Sequence, residues 1–407
     1  MTAIWHSWVP GVLSKPQLTE ICRSGFVGGL EDYGAIDHSS LDLSITDEAY
    51  RLTRGTVKPF GANFLEVITG EGLAERIQPD GDRCFRLEPG ISYLFRIRET
   101  IEGDGGGSIY GQSTAKSSIG RLDVLVRLIV DGMKHYEGFN PKAIKTGRAS
   151  MFLEVTPITF PVMVRAGATM TQLRLFYGDP NDCEITGSEV AKTCFAGQGV
   201  DHHLTVDLSP VEILGAEGCG FRASVPSRLS EPIPLWKGAS KPDPATCWEF
   251  VQPDADNRIS ITKGHFYILR SKERLTIPKG IAVYARAIDE EIGEMRIHYA
   301  GFAHPLFGLD REDDKVGTPL IFEVRGHDVD VSLRHEEILA RLRFFRMSDD
   351  ADVQLPEASP QRSGAIEGLG MVKSGIAMDD KQVYNNQNLK LSSFFADWSS
   401  APRIASD

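Results

Sequence analysis

One stretch of the chain, GQSTAKSSIGRLDVLVR at residues 111–127, gathers side-chain types that bind phosphate: Lys116, Ser117, Ser118 and Arg121. Hydroxyls and backbone N–H groups donate hydrogen bonds to phosphate oxygens, and a guanidinium binds two oxygens at once. Gly120 lets the backbone approach a ligand closely. The stretch therefore predicts a phosphate-binding loop, although a solvated turn with an exposed arginine would show the same pattern.

This stretch is not a Walker loop. The two glycines of the G-x-x-x-x-G-K-[ST] pattern are replaced by Tyr110 and Ala115. The sequence that follows, LDVLVRLIV, is typical of a strand and not of the long helix that a Walker loop precedes. A P-loop NTPase is therefore excluded.

The bulk composition excludes further classes of protein. The chain has 407 residues and a net charge of −12, and binding to a nucleic acid polymer needs a broad basic face. None of the six cysteines forms a C-x-x-C pair, so no zinc site is predicted. No apolar run is long enough to span a membrane, and the N-terminus lacks the features of a signal peptide. We therefore expect a cytoplasmic protein whose partners include neither a nucleic acid polymer nor a membrane.

The local patterns favour a mainly β protein with a few short helices. Segments such as YLFRIRE, MFLEVTPITFPVMVR and QLRLFY are rich in β-branched and aromatic residues and are bounded by Gly, Pro and Asp. Near the start, KPQLTEICRSG predicts a short helix that is ended by Gly25.

Four blocks recur in the same order about 170 residues later. LEPGISYLFRIRE aligns with ITKGHFYILRSKE, SSIGRLD with EEIGEMR, SMFLEVTPITFPVMV with PLIFEVRGHDVDVSL, and QLRLF with RLRFF. Such recurrence predicts two copies of one β-domain, at residues 1–200 and 201–348. The alternative is that unrelated β-sequences look alike.

The second copy and the C-terminal tail differ from the first copy. Glu290, Glu291 and Glu294 stand where the first copy has Ser117, Ser118 and Arg121, so the second copy should repel a triphosphate at this loop. Residues 349–407 have the composition of a linker or disordered tail. Within the tail, LSSFFADW at 391–398 predicts an apolar plug that docks on the body or on a partner.

Four motifs in order resemble the dUTPase and dCTP deaminase superfamily. SSIGR before a strand resembles its second motif, IDHSSLDLSI (36–45) its opening motif, and VRAGATMTQLRLFYGD (164–179) its late motif. FLEVTPITFPV (152–162) is similar to the segment that distinguishes dCTP deaminases, and GEMRIHYAGFAHPLFG with PLIFEVRGHDVDV resembles the long two-repeat bacterial form. The resemblance covers roughly residues 10–348.

The resemblance implies a fold, a reaction and an assembly. The fold would be two tandem distorted β-barrels, or jelly rolls, and the reaction would be hydrolytic deamination of dCTP to dUTP and ammonia. Mg²⁺ would arrive with the triphosphate. Single-copy relatives are trimers with sites between subunits, so a homo-oligomer is expected.

The resemblance also implies the roles of individual residues. Lys116, Ser117, Ser118 and Arg121 would hold the phosphates, and Glu154 would be the general base. The chemistry agrees, because the chain lacks the P-C-x-x-C segment of the zinc deaminases, and a route without zinc leaves a carboxylate to move the protons. Burial in MFLEVTP should raise the pKa of Glu154. A glutamate on the solvent face of a strand is the alternative.

Further candidates come from the hairpins and from the second copy. Asp131 is the nearest acidic residue in the first hairpin, and Gln172 belongs to the late motif. Glu323 repeats Glu154. If the two copies share one site, His298 and His304 would line it, although histidines on hairpins are often surface groups.

Two other functions stay open. QRSGAIEGLGMVKSG (361–375) weakly resembles the glycine-rich arm of dUTPases, which would fit a dUTP diphosphatase or a bifunctional deaminase–diphosphatase. The degenerate second copy would fit a non-catalytic nucleotide-binding regulator.

Overall fold

The computed structural model describes residues 8–103, 107–144, 147–186, 188–195, 202–224, 229, 231–287, 294–297, 301–308, 317–349 and 388–405. Within these residues the protein is mainly β, as predicted, with four α-helices: α1 (Lys15–Arg23), α2 (Phe64–Gly70), α3 (Ser117–Gly120) and α4 (Ser188–Cys194). Two 3₁₀ turns lie at Tyr33–Ala35 and Pro244–Thr246. The predicted N-terminal helix is α1, and Gly25 after it has a φ of +85°, which favours glycine. None of the helices in the described part is long and apolar enough to cross a membrane.

The first repeat is one bent sheet with small additional sheets. Its strands are β1 (Gly11–Val12), β2 (Val27–Gly28), β3 (Leu41–Leu52), β4 (Ala74–Ile77), β5 (Cys84–Leu87), β6 (Tyr93–Ile97), β7 (Thr100–Gly103), β8 (Ile109–Ala115), β9 (Val124–Val130), β10 (Gly138–Phe139), β11 (Gly147–Ala149), β12 (Met151–Pro157), β13 (Val162–Arg165) and β14 (Thr169–Tyr177). The main sheet has the order β10-β8-β14-β3-β6-β12-β9. A register shift in β3 between Ile45 and Ala49 lets its two halves pair with β14 and β6, so the sheet curves around its core.

The rest of the chain supplies the second set of strands. These are β15 (Glu184–Ile185), β16 (His203–Thr205), β17 (Val211–Ile213), β18 (Ala216–Gly218), β19 (Gly220–Ala223), β20 (Ile233–Pro234), β21 (Trp248–Val251), β22 (Arg258–Ile261), β23 (Phe266–Leu275), β24 (Ile281–Ala287), β25 (Met295–Ile297), β26 (Phe302–Ala303), β27 (Thr318–Gly326), β28 (Val331–Arg334), β29 (Ile338–Arg346) and β30 (Arg403–Ile404). The two larger sheets run β15-β29-β24-β26, with β16 also on β29, and β25-β27-β23-β19-β21-β30.

Strand pairing confirms the tandem repeat. β12 lies between β6 and β9, and β27 lies between β23 and β25. Glu154 is opposite Leu94 in the first repeat, and Glu323 is opposite Ile268 in the second, in agreement with the sequence alignment. The division at residue 200 stays a prediction, and Glu290 and Glu291 lie outside the described residues.

The two repeats cover the equivalent faces of their sheets in different ways. In the second repeat, Phe221, Phe266 and Ile268 belong to the large core of the first repeat, so the outer face of β19 and β23 docks on that repeat. In the first repeat, Phe64 and Ile68 of α2 instead cover the outer face. They form a small core with five buried residues of the sheet: Tyr50, Leu52, Leu94, Ile129 and Phe152.

The C-terminal plug docks on the body of the protein. Phe395 is 5% exposed, and its ring packs on Phe160 and Trp248 with centroids 5.9 and 6.0 Å away. Trp398 stacks on Phe221, and β30 pairs in parallel with β21. Residues 388–405 are therefore part of the folded domain, whereas the candidate arm at 361–375 lies outside the described residues.

We expect Phe395→Ala to lower the free energy of unfolding by about 3 kcal/mol, because it removes a buried aromatic side chain and leaves a cavity. Urea titration monitored by tryptophan fluorescence measures the change. Ser393→Ala, at an exposed position of the same segment, is the matched control and should be neutral. Equal stability of both variants would contradict the docking.

Candidate active site

The predicted phosphate loop is a single helical turn between two strands. The backbone N–H groups of Ile119 and Gly120 donate to the carbonyl of Lys116, at 2.8 and 3.1 Å, and the N–H of Arg121 donates to Ser117 at 3.0 Å. Asp123 then adopts a φ of +56°, which turns the chain into β9. The turn is α3, and a strand follows it directly, unlike in a Walker loop.

Glu323 of the second repeat lies directly against this turn. A Cβ atom on Gly120 would lie 2.3 Å from Oε2 of Glu323, so a larger residue here would force the carboxylate to shift. Nε of Arg121 is 4.0 Å from Oε1 of Glu323, and the two side chains are 7% and 6% exposed. The structure thus forms a composite site from loop 116–121 of one repeat and β27 of the other.

The surroundings of Glu323 suit proton transfer. Burial raises the pKa of its carboxyl group to about 8, the Arg121 guanidinium opposes this rise, and the Asp123 carboxylate adds to it. A carboxyl group with such a pKa can both accept and donate a proton near neutral pH.

The C-terminal segment covers the same turn. Nη1 of Arg121 donates to the carbonyl oxygens of Lys390 and Leu391, both at 3.4 Å, and the hydroxyl of Ser392 donates to the carbonyl of Ser118 at 2.6 Å. The sequence identified an apolar plug here, but no local pattern indicates which surface it covers.

Lys116 and Gln172 converge on a residue that sequence reasoning did not single out. Nζ of Lys116 lies 2.6 Å from Oδ2 of Asp42, and Nε2 of Gln172 donates to Oδ1 at 3.3 Å. Lys116 also donates to Thr169 at 3.2 Å. Asp42 belongs to the SLDL part of the opening motif, which was the available signal.

Glu154 lies elsewhere in the first repeat. It is 3% exposed, and its Oε2 accepts hydrogen bonds from the N–H of Val57 and the hydroxyl of Tyr136, both at 3.3 Å. Burial raises its pKa to about 7, opposed by these two hydrogen bonds and by Arg127. Glu154 lies opposite Arg127 in the pairing of β12 with β9. Arg127 is three residues, or about 10 Å, from Val124, which is the end of β9 nearest the loop. The structure therefore places Glu323, and not Glu154, beside Arg121.

The remaining candidates make other contacts. Oδ1 of Asp131 accepts from the N–H of Phe64 at 2.9 Å and so holds the first turn of α2. Nδ1 of His304 lies 3.1 Å from Oγ of Ser39, which joins the two repeats at a different point. His298 lies outside the described residues.

Among the residues that the structure describes, no three His, Cys, Asp or Glu side chains form a group that could hold a metal ion.

Comparison with known proteins gives a consistent result. The model of the 2'-deoxycytidine 5'-triphosphate deaminase N-terminal domain matches residues 9–179, and that of the C-terminal domain matches residues 184–360. The crystal structure of 2'-deoxycytidine 5'-triphosphate deaminase from Agrobacterium tumefaciens is similar, with a TM-score of 0.72 and 26% identity, over 83% of this chain and 96% of that chain. No curated protein matches the sequence.

We expect Gly120→Ala to lower the free energy of unfolding by about 1–2 kcal/mol, because the new methyl group must displace the Glu323 carboxylate from a packed junction. Urea denaturation measures this loss. Gly81→Ala, where a Cβ meets nothing within 4 Å, is the control and should not be destabilising. If both variants were equally stable, the carboxylate would not lie against this turn.

Proposed function

Because the chain belongs to the 2'-deoxycytidine 5'-triphosphate deaminase family, we propose that it converts dCTP and water to dUTP and ammonia at the composite site. The observation that supports this proposal is the contact of Glu323 with Gly120 and Arg121, which joins a proton-transfer group to a phosphate-binding loop.

The loop would bind the triphosphate of Mg–dCTP. Ser117 and Ser118 are half-buried at the start of the turn, and Arg121 offers a planar set of donors to anionic oxygens. Lys116 is held near the loop by Asp42, so it can add positive charge to the same region. Mg²⁺ enters with the substrate.

Glu323 would carry the protons of the reaction. Its carboxylate takes a proton from water as the water oxygen bonds to C4 of cytosine, and it returns that proton to N3. The same group then moves the proton of the new hydroxyl to the exocyclic amine, the C4–N bond breaks, and ammonia leaves. One water is consumed, and the carboxylate is regenerated.

Glu323 is a better candidate for this role than its counterpart Glu154. Helix α2 covers the outer face of the first repeat, and one carboxylate oxygen of Glu154, Oε2, already accepts hydrogen bonds from Val57 and Tyr136. The role predicted for Glu154 from the sequence therefore becomes the alternative that mutagenesis must separate.

The reaction itself is tested with purified protein, dCTP and Mg²⁺. Nucleotides are separated by chromatography, and ammonia and pyrophosphate are both quantified. dUTP with equimolar ammonia supports the proposal. dUMP with ammonia and pyrophosphate would indicate a bifunctional deaminase–diphosphatase, because dCTP must lose its amine to give dUMP. Binding without product would indicate a regulator and would overturn the proposal.

We expect Glu323→Gln to lower kcat at least about 100-fold, since the amide cannot accept a proton, while dCTP still binds. Glu154→Gln is the matched control, because it changes the equivalent residue of the other repeat, and it should retain kcat within about threefold. Steady-state kinetics with ammonia detection decides between them. The reverse pattern would return the role to Glu154.

The pH dependence follows from the raised pKa of Glu323. A general base must be deprotonated, so kcat/KM should rise with pH and level off only above about 8. A glutamate with an ordinary pKa would give a plateau that begins at lower pH. Initial rates between pH 5 and 10 at low dCTP give this profile. A plateau that begins near pH 5 would rule out a buried carboxyl group as the base.

A homo-oligomer, which rests on the family resemblance, and a cytoplasmic location, which rests on the lack of a signal peptide pattern and of a long apolar run, also remain proposals. Analytical ultracentrifugation would test the first and cell fractionation the second.

A further inference from the structure

A second pair of charged residues joins the two repeats beside the composite site. Nη1 of Arg325 lies 2.5 Å from Oδ2 of Asp123. The hydroxyl of Thr159 donates to the same Asp123 oxygen at 2.5 Å, and Arg325 donates to that hydroxyl at 3.1 Å. Asp123 is fully buried, and the Arg325 side chain is 22% exposed.

This ion pair lies next to the residues that would do chemistry. Asp123 follows Arg121 by two residues, and Arg325 follows Glu323 by two residues on β27. Since side chains two apart in a strand share a face, Glu323 and Arg325 both point toward the first repeat. Two cross-repeat pairs therefore run side by side, one in close contact at 2.5 Å and one separated by 4.0 Å.

We propose that Asp123 and Arg325 are positioning residues, which fix the separation between Arg121 and Glu323 so that both groups stay available to the nucleotide. A direct Arg121–Glu323 salt bridge would satisfy each group with the other. The tight Asp123–Arg325 contact anchors β27 to the loop and leaves the neighbouring pair too far apart for a hydrogen bond.

The equivalent positions show that this ion pair belongs to one combination of loop and strand. Thr156 occupies the position of Arg325 in the first repeat, where it hydrogen-bonds to Ser92 of its own repeat. Arg296 occupies the position of Asp123 in the second repeat. At these positions, only the loop of the first repeat and β27 of the second repeat carry opposite charges. A largely buried ion pair can specify which loop pairs with which strand.

The ion pair also sets the charge around Glu323. The charged groups that face this region are Arg121 and Asp123 from the loop, Arg325 from β27 and, beside Arg121, Lys390 from the C-terminal segment. Without Arg325, the negative charge of Asp123 would act on Glu323 without the opposing charge of its ion-pair partner. Without the charge of Asp123, Glu323 would ionise more easily.

The inference rests on the proposed function, and kinetics of four variants test it. We expect Arg325→Gln and Asp123→Asn each to lower kcat at least tenfold with KM for dCTP within threefold, and the double variant to be no worse than either. The acidic limb of kcat/KM should move to higher pH in Arg325→Gln and to lower pH in Asp123→Asn. Arg325→Lys keeps the positive charge, so the acidic limb of its kcat/KM profile should stay at the same pH while kcat falls.

Arg343→Gln is the matched control, because it breaks a similar ion pair with Glu184 at 2.5 Å and should leave both parameters unchanged. Unchanged kcat in folded Arg325→Gln, or limbs that move in the same direction in both single variants, would overturn the proposal. If Arg325→Gln does not fold, full kcat in Arg325→Lys would overturn it. These results are distinct from failure of the proposed function, in which Glu323→Gln itself would stay active.

Discussion

The carboxylate of Glu323 lies against a backbone that has no side chain at Gly120, and this close approach brings the two repeats into one site. A carboxyl group removed from water is costly to ionise, and here the guanidinium of Arg121 is near enough to lower that cost without forming a hydrogen bond. The same burial that raises the pKa of Glu323 excludes bulk water from the junction. Packing between the repeats and the raised pKa of Glu323 are therefore consequences of one contact.

The tandem chain divides the parts of a site between its repeats. The first repeat keeps the Ser-Ser-x-x-Arg loop, and the second keeps a glutamate whose sheet face is docked on a neighbour. The corresponding face of the first repeat is occupied by α2, which Asp131 and Asn63 hold at its first turn. Helix α2 thus takes the place of a docking partner, and Glu154 becomes enclosed within its own repeat.

Much of the fold could be predicted from the sequence, because alternation, glycine positions and recurring blocks are local signals. Gly90 and Gly264, aligned from sequence, have φ values of +77° and +74°. The pairing of Arg121 with Glu323 could not be predicted in this way, since Glu154 and Glu323 have the same strand pattern. The difference between them depends on which sheet face is docked, and that is decided by long-range packing of aromatic side chains and by helix α2, whose sequence has no strong motif. Asp42 was missed for a simpler reason, because an aspartate in a strand motif has no spacing that indicates its partners.

The C-terminal segment is anchored by one kind of interaction and covers the site through another. Its aromatic contacts, through Phe395 and Trp398, are made with Phe160 of the first repeat and with Trp248 and Phe221 of the second. Over the loop, Arg121 donates to the neutral carbonyl groups of Lys390 and Leu391 at 3.4 Å. Charge-assisted hydrogen bonds to phosphate are shorter and stronger than these. Under the proposed function, a triphosphate would therefore compete with these carbonyl groups for Arg121 while the aromatic anchor stays docked, so the segment would not have to leave the protein for the loop to bind its ligand.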